Sequence, residues 1–330
     1  VLRETTESLE LAVRRQTNPH SRDLFRIFQL VLATIWLVDG FLQLQPVMFQ
    51  GGSNGFSSML RSMATGNPGL VAQSIRWDAA FISHHPVITN ALFAVIQIAI
   101  ALGIVWRRTI RGALALSIVW CLLVWWFGEG LGGILSGGAT PLTGGPGAVL
   151  FYALLALLLW PRTQREPLGA SDFFNTTAAK SVWTISWIVL SVLCVVGNGR
   201  SSSSLATATK SLQAGQPGWL GHITAWSVTL LGHHGEVVAV CVAIFFLLLG
   251  FAIYLPAPIF RLFLVTGIVL SLIIWVAVEQ FGGVLAGGAT DPNSGPLLVL
   301  LLVCYWPLRD GQLFKSRGNE GVVEVVYGND

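Results

Sequence analysis

The chain has 330 residues, of which 53% are hydrophobic and only 11% charged, and its mean hydropathy is +0.68. Soluble domains carry roughly 25% charged residues, so this chain cannot build an ordinary water-facing surface, and lipid must be the solvent for much of it. The net charge of +3 is small and no basic stripe occurs, which excludes nucleic acid as a partner.

A spanning helix needs about 20 mostly apolar residues. Taken in chain order, eight apolar runs are candidates: Ile27–Phe49, Val87–Trp106, Ala113–Phe127, Ala148–Trp160, Val182–Val196, Val237–Tyr254, Leu262–Val278 and Leu297–Trp306. The predicted fold is all-α, a polytopic membrane bundle of eight helices. Its parts are an N-terminal tail (1–26), a first four-helix unit (27–160), a linker (161–181), a second four-helix unit (182–306) and a C-terminal tail (307–330). The tail ends in the strand-like run Val322–Tyr327. About 23 mostly polar residues precede the first run, which is long enough to remain in the bilayer.

Lys and Arg placement sets the orientation. Arg14, Arg15, Arg22, Arg26, Arg107, Arg108, Arg111, Arg162, Arg165, Lys180, Arg261, Arg309, Lys315 and Arg317 fall on one side of an eight-span chain. That side is expected to be the cytoplasm, with both termini there and the chain in the cell membrane. Residues 50–84 and 199–232 become extracytoplasmic loops, each with short helices along the surface. Trp77, Trp106, Trp160, Trp226 and Trp306 stand near span ends, where indole rings anchor at the interface.

The two units match each other. Gly66-Asn67-Pro68-Gly69, Trp77 and His84-His85 recur at the same spacings as Gly215-Gln216-Pro217-Gly218, Trp226 and His233-His234. Glu129 precedes GLGGILSGGATPLTGGPG, and Glu279 precedes QFGGVLAGGATDPNSGP. Two even-numbered units point the same way, so the expected symmetry is a pseudo-two-fold axis along the membrane normal, relating two parallel repeats.

The Gly-rich segments 128–147 and 282–295 carry the main functional expectation. The apolar runs after them are too short to cross about 30 Å of hydrocarbon, so the glycine segments should be re-entrant. Such backbone is tolerated where protein or trapped water covers it, and it points to a binding site. Gly132, Gly133, Gly137 and Gly138, with Gly282, Gly283, Gly287 and Gly288, are the candidate cofactor-binding glycines. Tight helix packing is the alternative use of the same residues. Glu129 and Glu279 hold equivalent places at the ends of the third and seventh runs, as candidate proton-exchanging or cation-binding groups. Helix capping at the interface is their alternative.

Asp39 lies mid-span in WLVDGFLQLQP and is the third candidate catalytic carboxylate; satisfaction by Gln43, one turn along, or by Gln45 is the alternative. His84, His85, His233 and His234 open the second and sixth runs. Neighbouring helical residues point about 100° apart, so one ring of each pair is expected to face the inter-unit axis. His84 and His234 are the candidate metal ligands, for haem iron or copper. An interfacial histidine bonded to a loop is the alternative. Asp78, Glu236 and Asp291 each occur in one unit only, which hints at divergence. Cys121, Cys194, Cys241 and Cys304 lie in apolar runs without metal-binding spacing and read as small buried hydrophobes.

Over residues 24–160, the stretches WLVDGFLQLQPVMF, HPVITNALFAVIQIAIALGIVWRR and WWFGEGLGGILSGG resemble polytopic membrane proteins of actinobacterial type. The four-helix unit, with a loop after its first helix, resembles the DoxX/DoxD group, which includes the membrane subunit of thiosulfate:quinone oxidoreductase. The resemblance implies a quinone-linked or redox-partner role, and it assigns no functional residue to a position here. The first expectation is therefore a membrane subunit supporting quinone-, haem- or metal-linked redox chemistry at the extracytoplasmic face, within a larger membrane or extracytoplasmic complex. The rivals are a proton-coupled transporter of a small solute or metal ion, and a scaffold whose loops dock a partner.

Overall fold

The computed structural model describes residues 19–50, 55–161, 174 and 176–306. Arg14, Arg15, Arg162, Arg165, Arg309, Lys315 and Arg317, and the strand expected at Val322–Tyr327, lie outside the described residues. Helices and loops make up the described residues, with no strand among them.

Among the described residues eleven α-helices follow in order. They are α1 (Pro19–Leu42), α2 (Phe56–Met63), α3 (Gly69–His84), α4 (Pro86–Val105), α5 (Ile110–Phe127), α6 (Ala148–Leu158), α7 (Thr177–Val195), α8 (Ser202–Ser211), α9 (Gly218–Ala252), α10 (Ala257–Ala277) and α11 (Ser294–Cys304). Six of them, α1, α4, α5, α7, α9 and α10, are long and apolar enough to cross a membrane. The chain is thus an integral membrane protein of multi-pass type. Helices α6 and α11 are apolar but have 11 residues each, about 16 Å at 1.5 Å per residue. That is roughly half the hydrocarbon thickness.

Proline chemistry explains one difference between the halves. Pro86 has no N–H to give to the helical ladder, so α3 stops at His84, and His85 is a non-helical joint (φ −133°, ψ 50°) before α4. At the matching position the second half has Gly235, whose N–H keeps the ladder intact, and α9 runs unbroken for 35 residues. Short helices do occur within both expected loops, α2 and α3 in the first and α8 in the second, but residues 218–232 of the second loop belong to the same helix as the run from Val237. Gly235 also lets α8 come close, since a Cβ there would stand 2.8 Å from Ser202 Cα.

In the first half α1 packs on α4, α4 on α5 and α5 on α6; in the second, α7 packs on α9, α9 on α8 and α10, and α10 on α11. Helix α11 reaches across to α6 and α1. One apolar core runs through both halves, from Leu32, Trp36, Tyr152 and Leu155 to Trp183, Trp187, Phe246, Leu298 and Leu301. Trp36 and Tyr152 rings lie 4.6 Å apart, and Trp183 contacts Trp187, Phe260 and Tyr305. In lipid, where apolar transfer gives little, interdigitated packing of this kind holds helices together. The outward faces are apolar too, with Val95, Leu102, Val119, Ile185, Val240, Ile244 and Ile273 exposed.

Polar closures tie the helix ends. Arg26 donates to the Ile104 and Val105 carbonyls at the end of α4, and Gln29 Nε2 donates to the Leu159 carbonyl after α6 at 2.9 Å. These bonds satisfy carbonyls that a helix end leaves without internal partners.

Candidate functional site between the two halves

The site is built on the two Gly-rich segments. Each begins with four consecutive residues in the left-handed helical region. In the first half these are Gly130, Leu131, Gly132 and Gly133, with φ between 55° and 75°. In the second they are Gln280, Phe281, Gly282 and Gly283, with φ between 50° and 78°. Left-handed conformation costs an L-residue roughly 1–2 kcal/mol, so Leu131, Gln280 and Phe281 are strained, and the surroundings must hold them. They do. Leu131 is buried beside Val71 and Ile75. Gln280 Nε2 donates to the Thr209 carbonyl at 2.7 Å. Phe281 sits edge-on to Trp275, with centroids 4.8 Å apart.

The turn swings the chain back over the preceding helix, where a tryptophan locks it. Trp125 Nε1 donates to the Pro146 carbonyl at 2.8 Å, and Trp275 Nε1 to the Pro292 carbonyl at 2.6 Å. The backbone passes so near that a Cβ on Gly132 would stand 1.6 Å from the Pro146 carbonyl oxygen.

Glu129 and Glu279 follow the ends of α5 and α10 and reach across this loop to the start of the next short helix. Glu129 Oε1 accepts from the Val149 N–H at 3.4 Å. Glu279 Oε1 accepts from the Ser294 hydroxyl. A carboxylate at a helix N-terminus meets the positive end of the dipole, so both glutamates do cap a helix, the one after the Gly-rich segment. Each also keeps a second oxygen, Glu129 Oε2 and Glu279 Oε2, shielded from solvent and without a hydrogen-bond partner among the described residues. Burial holds the Glu129 carboxyl well above its ordinary range, and the negative charge of Asp291 adds to this. Burial pushes Glu279 up to about 8, with the Ser294 hydroxyl opposing the shift.

Asp291 bears electrostatically on Asp39, Glu129 and Glu279 together. Both its oxygens are engaged, Oδ1 by the Asn293 N–H at 2.7 Å and Oδ2 by the Thr290 hydroxyl at 2.9 Å. Burial raises its pKa, against those two donors. Asp39, 2% exposed on α1, completes the group. The Tyr152 hydroxyl of α6 faces its carboxylate, yet Asp39 Oδ1 and the hydroxyl both lack a hydrogen-bond partner of good geometry. The glutamines expected to satisfy Asp39 are engaged elsewhere. Gln43 pairs with Asn90, and Gln45 Nε2 donates to the Ala289 carbonyl at 3.1 Å.

Asp39, Glu129, Asp291 and Tyr152 thus come from α1, α6 and the Gly-rich segments of both halves. Among them, Tyr152 escapes a reading of the sequence, and Asp291 stands out there only as a carboxylate with no counterpart in the other unit. Tyr152 is one polar tip in an apolar run. Asp291 directly follows the shared Gly-Gly-Ala-Thr, where the first half has Pro141, and that break in the match is its only signal.

The candidate glycines shape the segments. Gly133 packs on Gly138 and Ala139, Gly282 on Asp291 and Pro292, and Gly137 and Gly138 carry the carbonyls facing Gly197 and Gly199. Gly287 is near Gln45, while Gly283 and Gly288 face open space. The histidines do not join them. His84, His85, His233 and His234 are all exposed. His85 leans on Phe81, and His233 on His234. Among the described residues no group of three or more His, Cys, Asp or Glu side chains is placed to hold a metal ion. Cys241 is exposed, and the other three cysteines are buried, as small hydrophobes are. Compared with family models, curated proteins and solved structures, the chain finds no match.

Proposed function

We propose that this integral membrane protein exchanges protons through the Asp39–Glu129–Asp291–Tyr152 cluster, in support of quinone-linked redox chemistry at the extracytoplasmic face. The observation that carries this reading is the set of shielded oxygens that make no well-formed hydrogen bond among the described residues: Asp39 Oδ1, Glu129 Oε2 and the Tyr152 hydroxyl. Ionisable groups buried within a membrane protein are costly and mark proton relays. Reducing a quinone takes up protons, and an adjacent cluster of weak acids is suited to supply them. The exposed histidines give no support to haem or copper as the redox group.

The same reading takes the halves as parallel repeats and α6 and α11, with their Gly-rich segments, as the seventh and eighth crossings. The element order supports it: a spanning helix, a short helix, two further spans, a left-handed turn and a short apolar helix recur in both halves, with α3 and α4 of the first half standing where α9 is continuous in the second. The Lys and Arg bias supports a cytoplasmic position for both termini. Protein purified with its lipids should carry extractable quinone, and Asp39→Asn should slow quinone reduction while leaving quinone content unchanged. Purified protein with neither quinone nor any redox absorption would sink the proposal.

Proton-coupled transport is the second reading, favoured by broken segments meeting between halves. Its path would have to pass the apolar core and the Arg26 and Gln29 closures. Asp39-dependent acidification of proteoliposomes on adding a solute would favour it over the first.

A further inference from the structure

We infer that the cleft between Ser136–Thr143 of the first half and Asn198–Ala208 of the second binds an uncharged polyol group the size of glycerol. This site is independent of the carboxylate cluster. It is a cavity of about 170 Å³ lined by Ser136, Gly138, Thr143, Asn198, Ser204 and Ala208, with Gly199 at its edge. Cavities of about 150 Å³ accept a six-carbon ring, so glycerol fits by bulk.

The lining chemistry selects the ligand. Among the described residues no Lys, Arg, His, Asp or Glu side chain lines the cleft, so neither an anion nor a cation finds a counter-charge there. Hydroxyl and amide groups of both polarities do line it. The Ser136 hydroxyl donates to the Gly133 carbonyl at 3.1 Å, which leaves its oxygen to accept. Ser204 Oγ accepts from Ser201 Oγ at 2.8 Å, which leaves its own proton to donate. Asn198 brings an amide with both capacities. Adjacent hydroxyls of a polyol need this alternation of donors and acceptors.

The other crossing between the halves shows why the cleft stays open. There the Gln45 side chain reaches over to the Ala289 carbonyl and lies beside Gly287. Aligning Trp36 in WLVDGFLQLQ with Trp187 in WIVLSVLCVV puts Val196 where the first half has Gln45. Val196 is 55% exposed and offers no amide. At this crossing the Asn198 and Gly199 N–H groups both donate to the Gly137 carbonyl, at 2.8 and 3.2 Å. The room filled by glutamine on one side is left vacant and hydroxyl-lined on the other.

The polyol can come free from solution or as the terminal glycerol of a phosphatidylglycerol headgroup. Saturation-transfer NMR on the full chain in glycerol-free detergent, with glycerol as the probe, tests the site. Glycerol should receive saturation, and Ala208→Leu, which fills the cleft, should abolish it. Ser204→Ala should weaken binding about fivefold, the value of one hydrogen bond of roughly 1 kcal/mol. It also keeps the test decisive if Ala208→Leu does not fold. Displacement by short-chain phosphatidylglycerol but not phosphatidylcholine assigns the headgroup as source, and no displacement by either assigns the free solute. No transfer to glycerol, transfer unchanged in both variants, or preference for acetate over glycerol would overturn the inference.

Discussion

Asp39 shows how much a single side chain depends on its neighbours. In the sequence it is a mid-span carboxylate with two glutamines in reach. In the fold those glutamines are committed to Asn90 and Ala289, and Asp39 is left facing Tyr152. Glu279 gives the residue-scale test of pH. Its folded pKa of about 8 lies above the ordinary 4.5, so the fold favours the protonated carboxyl. That contribution is fully present below about pH 4.5 and is lost as pH rises through about 8. Thermal melts in detergent should therefore fall across this window, and Glu279→Gln should flatten the slope; an unchanged slope would show that Glu279 does not titrate there. Glycines give a contrasting pair. A Cβ on Gly147 would stand 1.9 Å from Glu129 Oε2, at φ +114°. Gly147→Ala should displace the carboxylate from the start of α6 and cost several kcal/mol. Gly112, in α5 with open space around it, should accept Ala with a gain of up to about 1 kcal/mol. Parallel melts of the two variants check both expectations.

At the scale of elements, local sequence rules account for the breaks and caps. Pro86 ends α3 because it lacks an N–H, and Thr176, Ser201 and Asn293 cap α7, α8 and α11 through side-chain oxygens. The short apolar lengths of α6 and α11 are equally legible from runs too brief to span. The left-handed turns are not, because glycine permits that conformation without demanding it. Leu131, Gln280 and Phe281 adopt it because tertiary contacts hold them. Trp275 is the main lock, through its bond to the Pro292 carbonyl and its ring against Phe281 and Gly295. Trp275→Phe should keep the ring contact and orphan the carbonyl, costing about 1–3 kcal/mol. Proteolysis within 280–293 should then rise; equal resistance in both proteins would show that the indole bond is not the lock.

For the whole molecule, the apolar outer faces of six long helices make lipid the surrounding medium. Cys241, exposed on α9, reports on this directly. In intact vesicles it should resist a membrane-impermeant maleimide, then react after unfolding in detergent. Labelling at the rate of a water-exposed thiol would place that face of α9 in water. Composition and hydrophobic runs settle on their own that the chain enters a membrane as helices, because transfer of side chains to lipid adds up residue by residue regardless of fold. Paired motifs likewise single out Glu129 and Glu279, since duplication is visible as text. Only the tertiary structure decides that these carboxylates reach the starts of the next helices across a left-handed turn, and that Asp291 and Tyr152 join Asp39. Each of those depends on the direction in which a side chain leaves its helix and on what another half of the chain places opposite it, and neither is a property of local sequence.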